Sequence, residues 1–392
     1  MLPIYFWLYL LTGPGLLYPL YFCYTYIICQ SKAIKMFHNM NLCRLLFLFF
    51  FITIGLIQTI VAQESVPFYI EGALPKGYVK DGTVDYTEEI QTSINLHRYV
   101  IFPNFPVMIN DKGIKVKSNS KIEFQENSLV LLKPTNKGSY NIFELTYVEN
   151  VELLNLKIKG DKDLHLGKLG ADGNGISIRG SRNIVITNPV VEKCWGDGIL
   201  IGGLTKHNRD GRYVPCDNIK ISGGVLNHNR RNGLSIMSAK NMLVENLEVN
   251  NTKGAFPMAG IDIEPNYNKD YMDNVVLRNI VTRNNRYGIQ VVLKKLVGVK
   301  KVNVDVLIDN HMDYKSQFGL RFDKIDRKGL ALEGSVKVVN SEWVDNKHHG
   351  ILFEASQDNS CDITLQNVST LKNNREVSID LNNLPSKVKI LR

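Results

Sequence analysis

Seven short segments of this 392-residue chain repeat one pattern, a glycine followed by an apolar–any–apolar triplet. They are NGISI (174–178), DGILI (197–201), NGLSI (232–236), AGIDI (259–263), YGIQV (287–291), FGLRF (318–322) and HGILF (349–353). The glycines stand at 175, 198, 233, 260, 288, 319 and 350, so the steps are 23, 35, 27, 28, 31 and 31 residues. A period in this range marks a solenoid. Each unit is too short for a helical pair, and its β-branched residues alternate with period two, so the unit is a β-coil. A second strand follows each glycine strand, for example NIVITN (183–188), NMLVEN (241–246) and NVVLRN (274–279). Asparagines punctuate the intervals. Asn tolerates the left-handed conformation and bonds its own backbone, which suits sharp corners, and stacked Asn side chains can bond from coil to coil. With two earlier rungs lacking the glycine, KIEFQENSLVLL (121–132) and NVELLNLKI (150–158), about nine or ten coils are expected. The fold class is all-β: a parallel β-helix solenoid over residues 63–392, with a short N-terminal capping helix.

That helix is placed at Asp85–His97, with Asp85 as N-cap, Glu88 completing a capping box, and Ile90, Ile94 and His97 on one side. It would cover the apolar, hydrogen-bond-hungry end of the stack. Upstream lie two apolar stretches, 2–29 and 45–62. Lys35 and Arg44, the apolar run 45–57 and the small residue before Gln63 give residues 36–62 the pattern of a secretory signal, with residues 1–35 as an upstream extension. The competing expectation is a two-span membrane anchor. The net charge of +9 falls to +6 after the three cations of residues 1–62, which contain no acid, are subtracted. No basic run or nucleic-acid motif accompanies it, so a nucleic-acid partner is not expected. Outside the apolar N-terminal segment the cysteines are Cys194, Cys216 and Cys361; these are expected as buried thiols, with a Cys194–Cys216 disulfide as the alternative.

KDGTVDYTEEIQTSI (80–94), leading into VIFPNFPVMI (100–109), resembles the opening signature of the pectate-lyase-like superfamily of right-handed parallel β-helices. Asn104-Phe105 stands where a Gly-based turn is usual there. The resemblance runs from about Lys80 to the C-terminus and implies fold, because that superfamily spans lyases, hydrolases, epimerases and non-catalytic fibres. The paired-Asp, Gly-His-Gly and Arg-Ile-Lys motifs of its polygalacturonase-like hydrolases, and the calcium acids and Arg-Pro of its pectate lyases, are absent from this sequence.

Period two sets which side chains leave each glycine strand outward. In coil order these are Ser177 and Arg179, Leu200 and Gly202, Ser235 and Met237, Asp262 and Glu264, Gln290 and Val292, Arg321 and Asp323, Leu352 and Glu354. Asp262 and Glu264 thus share a face, about 6.5–7 Å apart along the strand, with neighbouring coils about 4.8 Å away. Trp195, Arg230, Arg231, Arg286, Tyr287, His348 and His349 form a rim. Acids, arginines and aromatics on one sheet suit a polysaccharide. The expected catalytic residues are Asp262, Glu264, Arg231 and Asp323, and the expected substrate contacts are Trp195, Arg230, Gln290 and Arg321. Two carboxyl groups at this separation suit hydrolysis. An acid or arginine that takes the proton α to a uronate carboxylate, with a cation to neutralise it, suits β-elimination or epimerisation. β-Elimination of an acidic glycan is the leading expectation. A Ca²⁺ ion on Asp262 and Glu264 is a further option for the cation. A non-catalytic glycan-binding solenoid is the rival, in which the acids are simply hydrated. Asp197 is expected to form a turn, and His165, in the irregular loop 160–173, to do less. The long step between Gly198 and Gly233 is assigned to a projecting loop, 202–216.

Overall fold

A computed structural model describes residues 66–205, 211–354, 359–373, 375–377 and 387–391. The upstream extension and signal segment lie outside the described residues. The seven glycine strands and two strands before them form one parallel sheet of nine: β1 (Ile114–Lys115), β2 (Ser139–Thr146), β3 (Asp172–Arg179), β4 (Ile199–Gly202), β5 (Leu234–Ile236), β6 (Ala259–Ile263), β7 (Tyr287–Val291), β8 (Phe318–Phe322) and β9 (His349–Phe353). Each pairs with the strand one coil before and one coil after. A second, larger sheet makes the other walls, its longest rungs being Met272–Arg283, Asn303–Tyr314 and Glu333–Val344. Inward Ile, Val and Leu from every wall fill one continuous core. Such a parallel stack buries both ends of each rung's hydrogen bonds, leaving only its terminal coils to be covered.

The repeated glycine has a packing cause. A Cβ on Gly175, Gly198, Gly233, Gly260, Gly288 or Gly319 would lie 2.4–2.7 Å from the carbonyl oxygen of the corresponding glycine in the next coil. It would also strike the wall behind, such as Val249 for Gly233 and Trp343 for Gly319. Only a hydrogen fits between coils there. The asparagines behave as their chemistry demands. Asn150, Asn183, Asn218, Asn246, Asn279 and Asn310 all have φ between 53° and 58°, the left-handed corner. Their side-chain amides bond coil to coil, as in Asn183 to Asn150 (2.9 Å), Asn218 to Asn183 (2.9 Å) and Asn310 to Asn279 (2.9 Å).

The capping helix, α1, spans Thr87–Leu96 and buries Thr87, Ile90, Ser93 and Ile94. The capping box does not form. Asp85 lies one residue too early and accepts instead from the Thr87 amide (3.1 Å) and hydroxyl (2.5 Å), while Glu88 turns outward to Lys112. His97 stacks on Phe68, outside the buried face. Cys194, Cys216 and Cys361 are buried free thiols, so the alternative disulfide is absent. The Cys216 sulfur instead faces the carbonyls of Ile178 and Gly202. Of the 202–216 insertion, Leu204–Thr205 and Tyr213–Val214 form a small antiparallel pair separate from the two parallel sheets, and residues 206–210 lie outside the described residues.

One polar cluster sits wholly inside the coil. Asp313 accepts from Thr282 (2.6 Å), Ser316 (2.6 Å) and Asn346 (2.5 Å). The only hydroxyl proton of Thr282 goes to Asp313, so the 2.8 Å contact to His311 Nε2 requires that nitrogen to donate. Trp343 then donates to the bare Nδ1 (3.3 Å), fixing a neutral imidazole. Burial pushes His311 down to about 3 and Asp313 up to about 6.

Candidate active site

Strand register brings the outward column together as period two demands. Ser177 pairs with Leu200, Leu200 with Ser235, Ser235 with Asp262, Asp262 with Gln290, Gln290 with Arg321 and Arg321 with Leu352. Beyond each strand a second column follows, linked by backbone bonds such as Glu264 N to Ile236 O and Asp323 N to Val291 O. Glu264 and Asp323 therefore stand two coils apart on one line, with Val292 between, a backbone separation of about 9.6 Å at the usual strand spacing.

Hydrogen bonds join these columns into one chain of charge. Arg231 bridges Asp197 (2.8 Å) and Glu264 (2.5 Å). Ser235 donates to Asp197 (2.7 Å), and Asn232 donates to Ser235 (2.9 Å) and to Asp262 (3.2 Å). Gln290 donates to the other oxygen of Asp262 (2.9 Å) and accepts from Arg321 (2.6 Å). Arg321 then binds Asp323 (2.5 Å) and Glu354 (2.7 Å), and Lys294 closes on Asp323 from the other side (3.0 Å).

The acids differ sharply in exposure. Asp262 is completely buried, which overturns its reading as one of a hydrated pair on an open strand face. Neighbouring coils roof it, a matter of side-chain length that the alternation pattern does not carry. Burial, reinforced by the nearby Glu264 charge, raises its carboxyl well above the usual range. Burial also raises Asp197 to about 6, against the opposing pull of Arg231. The two acids hold the Arg231 guanidinium charged despite its burial. Glu264, Arg231, Arg321 and Glu354 keep part of their side chains in solvent, between 14% and 33%. The Ca²⁺ option does not fit this donor set. Both Asp262 oxygens already accept from amides, Glu264 is held by a guanidinium, and no cluster of three or more metal-ligating side chains exists among the described residues.

Asp197 is the residue that sequence reasoning undervalued. It does serve the turn, since its carboxylate accepts from the Asn232 amide (3.1 Å) just as Asn174 accepts from the Asp197 amide (3.1 Å). The signal was its column: Asn174, Asp197 and Asn232 each precede the repeated glycine, so an acid there faces an Arg231 one coil on. Lys294 and Ser235 were likewise not among the expected site residues, and Glu354 was noticed only as an outward side chain.

Trp195 and Arg230 stand apart from the chain of charge. The Trp195 ring is stacked by His165 (centroids 3.7 Å, planes at 17°) and covered by the Arg230 guanidinium at 3.8 Å. Two groups that close to one ring centre occupy opposite faces, leaving neither face to a sugar. His165 is no idle loop residue: it is fixed to Asp161 (2.8 Å), which also accepts from Tyr140 (2.5 Å). A cavity of about 280 Å³, lined by Lys347, His348, His349 and Lys372 among others, opens beside β9 at the far end of the same rim.

Residues 155–311 match the family described as "Right handed beta helix region". An iota-carrageenase of family GH82 from A. fortis superposes with a TM-score of 0.61 at 16% identity, covering 84% of this chain and 90% of its own. The chain has a right-handed parallel β-helix fold. A polygalacturonase from Erwinia carotovora ssp. carotovora shares this β-helix with a TM-score of 0.58 at 12% identity, over 79% of this chain and 95% of its own. The prophage-derived protein YorA of Bacillus subtilis (strain 168) is 29% identical over 162 residues, 39% of this β-helix chain and 28% of YorA. The chain spans less than half the length of the curated relatives it matches.

Proposed function

We propose that this β-helix hydrolyses glycosidic bonds of a polysaccharide laid along β5–β8, with Glu264 and Asp323 as the reacting carboxyl groups. The observation that carries the reading is their placement. They lie on one column two coils apart, each gripped by its own arginine, above acids that never meet solvent. A pair of carboxyl groups about 6.5–9.5 Å apart leaves room for a water beneath the anomeric carbon and favours inversion. One would protonate the leaving oxygen while the other activates that water. Asp262, Asp197, Arg231 and Gln290 act as positioning residues. They fix the side chains that touch the sugar and set the local charge, as a preorganised site requires. That a carrageenase and a polygalacturonase share the fold supports a polysaccharide as the bound chain.

β-Elimination, the leading sequence expectation, loses ground because Arg231 and Arg321 are each engaged by two carboxylates. Neither is free to act as base or to neutralise a uronate. The signal pattern of residues 36–62 supports action outside the cytosol. Among the described residues no helix is long and apolar enough to cross a membrane.

The test is a panel of neutral and acidic polysaccharides with reducing ends and absorbance near 235 nm followed together. New ends without absorbance are expected, with Glu264→Gln and Asp323→Asn each lowering the rate at least about 100-fold. Rising absorbance would mean an unsaturated product and β-elimination. Binding without new ends would leave the non-catalytic glycan-binding reading. Full activity in either variant would remove these two carboxyl groups from the chemistry.

A further inference from the structure

Along the acid-bearing face, Arg231 and Arg321 are saturated by carboxylates, but Arg286 is not. Among the described residues no acid lies within ion-pair distance of it. It occupies the rim column one coil beyond Met258, to whose carbonyl its amide donates (3.0 Å). Its guanidinium carbon lies 4.5 Å from the Phe256 ring centre and 5.1 Å from that of Tyr287. Its Nε is buried and has no hydrogen-bond partner. On the Tyr287 ring it has Arg321 as a companion, at 5.0 Å, so Arg286 adjoins the cation that holds Asp323. Phe256 itself is 70% exposed, an uncommon position for a large apolar ring.

We infer that Arg286 and Phe256 form an anion-recognising subsite for a sugar ring carrying a carboxylate or a sulfate ester. The inference rests on the reading that this face binds a polysaccharide. A guanidinium flattened between rings is partly desolvated and lacks a counter-charge, so an incoming oxyanion gains more from it than from a hydrated lysine. Its planar fork matches the two oxygens of a carboxylate or sulfate. The exposed Phe256 ring offers the apolar face on which the C–H side of the same sugar would lie. The repulsion of a polyanion by the acids on this face is offset in part by Arg231, Arg321 and Lys294.

Binding is measured by calorimetry with four oligosaccharides: a sulfated galactan fragment, its desulfated form, an oligogalacturonate and its methyl ester. The wild type is expected to prefer at least one charged probe over its neutral partner. The two charged arms separate sulfate from carboxylate. Arg286→Gln should weaken that charged probe at least tenfold and leave the neutral ones within twofold. Arg286→Lys should lose an intermediate amount, keeping the charge without the fork. Phe256→Ala should weaken charged and neutral forms alike. The inference is overturned if Arg286→Gln binds the charged probe as the wild type does. It is also overturned if the variant loses charged and neutral probes equally, or if the wild type binds neither charged probe. Product formation is followed in parallel. Tight, Arg286-dependent binding without cleavage keeps the subsite and removes the hydrolase, whereas cleavage indifferent to Arg286→Gln does the reverse.

Discussion

Replacing Gly260 by Ala should cost about 3 kcal/mol, although the change adds only one methyl group. The new Cβ would lie 2.6 Å from the Gly288 carbonyl oxygen, 2.9 Å from Asn285 Nδ2 and 3.1 Å from Thr282 Cγ2. Reaching even 3.0 Å requires the carbonyl to retreat 0.4 Å, and that oxygen belongs to the next rung's backbone. Repeat-glycine carbonyls accept ladder bonds from the preceding coil, as Ile199 N does with Gly233 O at 2.9 Å. Relief therefore strains the ladder as well as the packing. Overpacking of this kind costs about 1–3 kcal/mol, and a weakened buried hydrogen bond adds about 1 kcal/mol. Gly72 is the control, because a Cβ there meets nothing within 4 Å and its φ is not left-handed. Urea unfolding measures both. With a slope of about 3 kcal/mol/M, Gly260→Ala should lower the midpoint by about 1 M, and Gly72→Ala should leave it unmoved. An unchanged Gly260→Ala midpoint, or an equal fall for Gly72→Ala, would refute the account of why glycine recurs.

Arg231→Met should destabilise the protein by about 3–5 kcal/mol, because it strands the buried Asp197 and the half-buried Glu264 without their shared cation. Adding Asp197→Asn should recover part of that loss in the same unfolding assay. Asp313 gives a pH signature. Its carboxyl is raised from 3.8 to about 6, so between those values the folded state holds a proton that the unfolded chain has released. Its contribution is greatest below pH 3.8 and declines as pH rises through 6, by about 3 kcal/mol in all. His311, lowered to about 3, acts in the opposite sense: its contribution is present above the unfolded histidine value and shrinks as pH falls. Comparison with Asp313→Asn at each pH cancels His311. The variant should gain on the wild type by about 2.4 kcal/mol from pH 4 to pH 7, and parallel stability curves would contradict the raised carboxyl.

The stack was legible in the sequence because each coil repeats one steric demand. A glycine at each close approach of the repeated strand, an asparagine at most left-handed corners and apolar residues at period two recur in register, so their spacing alone orders the strands. The outward column from Ser177 to Leu352 could be written down in its observed sequence for that reason. The capping helix shows where such reasoning stops. Its existence follows from the need to cover a coil end, but the partner of Asp85 depends on a shift of a single residue, and Thr87 competed successfully with Glu88 for the local bonds.

What the repeat does not encode is enclosure. Period two says that Asp262 leaves the strand outward; it does not say that Asn232 and Gln290, arriving from the coils on either side, reach far enough to seal it. The same limit hid the sandwiching of Trp195, whose two covering groups come from separate loops. Enclosure changes what the acids imply. Most buried polar side chains among the described residues are uncharged, such as Asn229, Asn232 and Asn285, and need no function beyond the corner they hold. The chain of charge is different, because four carboxyl groups, Asp197, Glu264, Asp323 and Glu354, share three cations, Arg231, Arg321 and Lys294, and a fifth, Asp262, is held among them by amides alone. A network selected for stability alone would gain by balancing its charges or replacing them with apolar side chains. Burial that raises Asp262 and Asp197, beside a Glu264 left at the solvent edge, is costly to keep. Perturbed carboxyl groups of this kind gather where proton transfer is the task.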